Sequence, residues 1–105
     1  MESDILKEVM DYLKECPNIK VWRVNAGTRD YNVKLAPKGI GDIEGFVLGG
    51  KRAGRYINFE VKQPKKPLRP SQSDWCRDMC DAGAYYHIVH SRQEAFDVVE
   101  RYYSD

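Results

Sequence analysis

The 105-residue chain reads as one α/β domain, a small mixed β-sheet flanked by helices in the order αβββαβα. Three observations predict this class. Residues 43–48 and 55–62 are short strand-like runs joined through glycines, and the second alternates apolar and polar residues. Residues 2–15 instead carry an apolar stripe with the period of a helix. Cap and stop residues then mark two further helices with a strand between them.

Ile5, Leu6, Val9 and Leu13 form the stripe of the first helix, which Cys16-Pro17-Asn18 stops. Residues 20–25 make a short strand, with Arg23 and Asn25 on one side and Trp22 and Val24 on the other. Residues 26–38 are irregular, with an extended stretch expected at 31–35. A hairpin follows, turning at Gly49-Gly50. On its second strand Tyr56, Asn58, Glu60 and Lys62 share one face, and Ile57, Phe59 and Val61 the other. Three prolines and three basic residues make 63–70 a stiff, exposed loop. Ser71-Gln72-Ser73-Asp74 has the form of a capping box with Asp in the place of Glu, opening a helix to about Ala82 that Gly83 ends. Residues 84–90 are a strand, and Ser91 caps a last helix reaching Tyr102.

Composition narrows the function classes. No apolar run approaches the roughly 20 residues that cross a bilayer, and no signal-peptide pattern opens the chain, so a cytoplasmic protein is expected. Three cysteines without framework spacing predict free thiols in a reducing compartment. Cys76 and Cys80 lie one helical turn apart, but His87 and His90 point to opposite faces of a strand, so buried thiols are expected rather than zinc. A pI of about 7.7 hides an asymmetry. Residues 20–70 carry a net charge of +8 and the remainder −7, which suits a protein that presents one face to phosphates.

The chemistry concentrates at the hairpin. Antiparallel pairing brings Asp42, at the start of the first strand, close to Glu60 and Lys62 at the end of the second. Hard divalent cations take carboxylate oxygens, and Mg2+ is commonly held by one or two of them with waters and substrate phosphate. Glu2 lies within roughly 60° of the apolar stripe of its helix, at about 100° per residue, so it points inward, whereas Glu8 and Glu15 point to solvent.

Asp42 followed by Glu60-Val61-Lys62 resembles the PD-(D/E)xK nuclease superfamily, and within it the VRR-NUC family of small virus-type replication and repair nucleases. Glu2-Ser3-Asp4-Ile5 resembles the family's opening helix, and Val21-Trp22-Arg23-Val24-Asn25-Ala26-Gly27 the strand and loop after it. Gly39-Ile40-Gly41-Asp42-Ile43 stands where the family has Gly-x-Pro-Asp-Ile, and Gln72 with Trp75 resembles its glutamine-bearing helix. Nearly the whole chain is covered, in order. Gly41 replaces the family's proline, which removes a fixed φ and loosens the start of that strand.

The resemblance implies a restriction-endonuclease-like fold and a DNA endonuclease using Mg2+ or Mn2+. Asp42, Glu60 and the Val61 carbonyl would hold the ion, with Glu2, Lys62 and Gln72 completing the catalytic set. Products with 5′-phosphate and 3′-hydroxyl ends, a homodimer, branched DNA such as Holliday junctions and a phage origin, hence a host-cell cytoplasm, are implied too. Tyr102, Tyr103 or the basic hairpin are candidate dimer contacts. Arg23 and Asn25 are candidates for positioning substrate. Lys51, Arg52 and Arg55 at the hairpin tip, with Lys65, Lys66 and Arg69 in the proline-rich loop, are candidates for a DNA-backbone footprint. Alternatives are a sequence-specific or RNA-directed nuclease of the same superfamily and a DNA-binding protein that no longer cuts.

Overall fold

The computed structural model describes residues 1–24 and 37–104; Asn25 and the 31–35 stretch lie outside them. Helix α1 (Glu2–Lys14) starts at Glu2 because the Met1 carbonyl accepts the N–H groups of Asp4 and Ile5. Glu2 and Asp4 place negative charge in its first turn and Lys14 positive charge in its last, each favourable to the helix dipole. Its stripe buries Val9, Met10 and Leu13.

Four strands form one mixed sheet: β1 (Ile19–Arg23), β2 (Ile43–Val47), β3 (Tyr56–Val61) and β4 (Tyr85–Val89), side by side in that order. β1 with β2 and β2 with β3 are antiparallel, whereas β3 with β4 is parallel. A parallel neighbour requires a crossover, and helix α2 (Pro70–Asp81) supplies it. Helix α3 (Arg92–Tyr102) follows β4, its first turn capped by Ser91 Oγ accepting the Glu94 N–H at 3.1 Å.

One face of the sheet presents Ile43, Val47, Ile57, Phe59, Val61 and Val89 to α1 and α3, and these apolar side chains form the core. Fully burying a residue such as Phe59 contributes roughly 1.5–3 kcal/mol. The other face carries Asn58, Glu60 and Lys62, which are buried as well because α2 packs over β3 and β4. That burial of polar groups sets up the site.

Several local expectations need correction. The hairpin does not turn at Gly49-Gly50 alone; its connection runs to Arg55, whose carbonyl accepts the Val47 N–H at 3.0 Å. Within it the Gly54 N–H donates to the Val47 carbonyl at 2.7 Å. Arg52 ties this loop to the far end of the molecule, donating to the Tyr102 carbonyl at 3.0 Å and the Tyr85 hydroxyl at 3.2 Å. α2 begins at Pro70 rather than Ser71, since proline lacks the N–H that a first helical residue leaves unpaired. Gly83, at φ +80°, follows α2 as expected. Tyr103 is not an exposed dimer candidate: it is 1% exposed and its hydroxyl meets His87 Nε2. Cys16 is buried, but Cys76 is only partly buried and Cys80 exposed, because α2 turns that side to solvent. Among the described residues no helix is long and apolar enough to cross a membrane.

Candidate active site

Register positions the acids. Ile43 lies opposite Phe59, so the next residues along the same ladder are Asp42 and Glu60. Beyond the paired segment the Asp42 side chain takes over the bonding, its Oδ2 accepting the Val61 N–H at 2.9 Å. The Lys62 N–H donates to the Val89 carbonyl on β4 at 3.0 Å, so the Val61 polar groups point the opposite way, towards β2. The Val61 carbonyl therefore lies on the Asp42 side of the strand.

Glu60 is 4% exposed and Gln72 2%. Gln72 Nε2 donates to Glu60 Oε1 at 2.9 Å, and Gln72 Oε1 accepts the Arg69 N–H at 2.9 Å. One carboxamide thus closes the start of α2 and fixes the orientation of the carboxylate. The capping interaction sits two residues upstream of the Ser71-to-Asp74 box, because the helix itself starts earlier. Lys62 shares the Glu60 face and is equally buried; among the described residues its ammonium makes no hydrogen bond or ion pair.

Burial, reinforced by the neighbouring Asp42 carboxylate, pushes the Glu60 carboxyl up to about 7, and the positive charge of Lys62 works against the rise. Burial also raises Asp42, opposed first by the Val61 N–H; Glu2 adds to the rise, and Arg23 and Lys62 oppose it. Glu2, Asp42, Glu60, Lys62 and Gln72 line one cleft of about 570 Å³, together with the 66–70 segment. Glu2 stands at the rim, paired with Lys66 at 3.5 Å.

The basic residues divide into two groups. Lys66 and Arg69 line the cleft, and Arg23 at the end of β1 is near enough to act on Asp42. Lys65 is exposed beside them. Lys51, Arg52 and Arg55 belong to the other end of β3, roughly 17 Å away at about 3.3 Å per residue. The fold does not bring them to the cleft.

Two buried polar groups had no role in the sequence reading. Asn58 is fully buried: its Oδ1 accepts the Gly41 N–H and the Trp75 Nε1–H, both at 2.8 Å, and its Nδ2 donates to the Ile43 carbonyl at 2.7 Å. Asparagine in mid-strand is unfavourable in itself, which was the available signal. Tyr86, paired in register with Asn58, is half-buried, and its buried hydroxyl has no hydrogen-bond partner among the described residues.

The donor set fits a hard divalent cation in part. Among the described residues no three acidic, imidazole or thiol side chains converge to hold a metal. Asp42, Glu60 and a strand carbonyl are nonetheless oxygen donors of the kind Mg2+ and Mn2+ take, with remaining positions left to water and phosphate. The half-buried Asp42 carboxylate raises the pKa of the buried Glu60, a repulsion that a cation between them relieves. Comparison of the chain with family models, curated proteins and solved structures returned no match.

Proposed function

We propose that the chain is a Mg2+- or Mn2+-dependent DNA endonuclease with a restriction-endonuclease-like fold, of the VRR-NUC type that its sequence resembles. The observation that carries this reading is the juxtaposition of Asp42 and Glu60 in one cleft with the buried Lys62 on the Glu60 face. Asp42, Glu60 and the Val61 carbonyl would hold the ion, which supplies polarisation of the scissile phosphate and a lowered pKa for an attacking water.

The chain's own residues do the rest. Gln72 occupies one oxygen of Glu60, and the other makes no hydrogen bond among the described residues. Lys62 lies on the cleft wall, where an ammonium stabilises negative charge developing on a phosphate. Lys66 and Arg69 bring positive charge to the rim where a DNA backbone would approach. Glu2 holds Lys66 at that rim. No groove-reading helix projects from the described fold, which favours recognition of DNA shape over base sequence. A homodimer acting on branched DNA in a cytoplasm follows from the resemblance, since paired sites match the symmetry of a four-way junction.

The test is Mg2+- or Mn2+-dependent cleavage of a synthetic four-way junction beside a linear duplex of the same sequence, with Asp42→Ala as control. Junction cutting that the variant loses supports the proposal. Equal cutting of both substrates removes the junction preference but keeps the nuclease. Binding without cutting in either metal makes the chain a non-catalytic DNA-binding protein.

A further inference from the structure

We propose that Asn58 is the positioning residue of this site, clamping the backbone on both sides of Asp42 so that its carboxylate stays on the Val61 N–H. The proposal rests on the nuclease reading for its catalytic meaning, but its geometry is independent of that reading. The two chain positions that Asn58 grips, Gly41 and Ile43, are the immediate neighbours of Asp42. The carbonyl of Asp42 itself accepts the Val24 N–H at 3.0 Å from the β1 side. Three consecutive residues are thus fixed by three bonds, two of them from one side chain with no exposure to water. Bonds in such a dry setting are costly to lose, because each stranded group forfeits its partner without gaining solvent.

Gly41 is part of the device. A Cβ there would come 2.8 Å from Asn58 Oδ1 and 2.5 Å from the Phe59 carbonyl oxygen, so any side chain would push the strand away. Proline at this position would meet the same obstruction and has no N–H to donate. The rigidity that a ring would supply is here supplied by an amide bonded to Gly41. Trp75 on α2 adds a further bond, its indole N–H donating to the same Asn58 oxygen at 2.8 Å, while the two bonds to Gly41 and Ile43 are made by Asn58 itself.

A purely structural role would loosen β3 as a whole, whereas a positioning role would release Asp42 selectively. Two adjacent amides separate these. The Val61 N–H bonds to Asp42 Oδ2, and the Lys62 N–H bonds to the Val89 carbonyl in the β3–β4 ladder. Amide hydrogen exchange in metal-free protein reads both at once. In Asn58→Ala, the ratio of Val61 to Lys62 exchange rates should rise about tenfold, the loss expected when one hydrogen bond is released. In Trp75→Phe, which leaves the grip on Gly41 and Ile43, the ratio should stay unchanged although the protein is less stable. An unchanged ratio in Asn58→Ala, or an equal rise in Trp75→Phe, would overturn the proposal. If Asn58→Ala does not fold, Asn58→Asp serves, since it keeps the acceptor for Gly41 and Trp75 but sets a second oxygen, with no proton to donate, against the Ile43 carbonyl. It should raise the ratio about threefold, and no rise would overturn the proposal.

The catalytic consequence is read separately. In Asn58→Ala the Mn2+ concentration for half-maximal junction cleavage should rise about tenfold, with metal-free DNA affinity unchanged. Absence of cleavage by the unmodified protein would defeat the nuclease reading, while the exchange ratio would still decide whether Asn58 holds Asp42.

Discussion

At the residue scale, buried Glu60 and half-buried His87, on opposite faces of the sheet, work against one another. Glu60 is raised to about 7 by burial and by Asp42; His87, packed against Phe59 and Tyr103, is lowered to about 4 by desolvation alone. A raised carboxylate gives stability that is complete below its unfolded value of about 4.5 and is lost as pH rises through 7. A lowered histidine gives stability that is present above about 6.5 and is lost as pH falls through 4. The two trends oppose each other between those limits, and the raised Asp42 adds to that of Glu60. Glu60→Gln removes one of them. Urea unfolding in metal-free buffer should find this variant gaining on wild type as pH rises from 4.5 to 7, by on the order of 2 kcal/mol. A constant difference would mean that Glu60 is not perturbed. Asp42, Glu60 and Lys62 were legible in the sequence because strand alternation and antiparallel pairing act over a few residues. Asn58 was placed on the right face but given no role, since its partners Gly41 and Trp75 come from a separate strand approach and a separate helix.

At the scale of elements, the proline-rich connection between β3 and α2 holds a strained turn at the cleft rim. Lys66 N–H donates to the Gln63 carbonyl at 3.2 Å across Pro64 and Lys65, and Lys65 takes a φ of +68°. Proline followed by a left-handed residue is the pattern of a type II turn, in which glycine is favoured at the third position. Lys65→Gly should therefore raise stability by about 0.5 kcal/mol, measured by urea unfolding; destabilisation would show that Lys65 makes a compensating interaction. The stiffness of this loop was evident from its prolines. The start of α2 was not, because Ser71-Gln72-Ser73-Asp74 offers a plausible cap of its own. Tertiary bonding decided the matter: Gln72 is held by Glu60 and Arg69 together. The hairpin was similarly legible in its strands and not in its turn, where Arg52 draws the loop towards Tyr85 and Tyr102.

On the scale of the whole molecule, the basic residues of the hairpin connection and of the proline-rich loop lie at opposite ends of β3. Lys66 and Arg69 border the cleft, whereas Arg52 is an internal strap between the hairpin loop, β4 and the end of α3. Removing Lys66 and Arg69 together should weaken DNA binding and lower the salt dependence by roughly 0.9 for each phosphate no longer neutralised. Arg52→Ala should leave that slope alone and lower thermal stability instead. The reverse pattern would place the DNA path at the hairpin tip. The α/β class with a small mixed sheet was legible because strand and helix periods interleave so clearly. Charge counted along the sequence cannot show which basic residues end on which side of the sheet, and the separation of roughly 17 Å between the two groups is a property of the fold alone.

The central claim is that Asp42 and Glu60 form a divalent-cation site, and calorimetric titration of Mn2+ into metal-free protein tests it most directly. Saturable binding to wild type is expected, lost in Asp42→Ala and strongly weakened in Glu60→Gln. Absence of saturable binding to wild type, or equal binding to all three proteins, would contradict it.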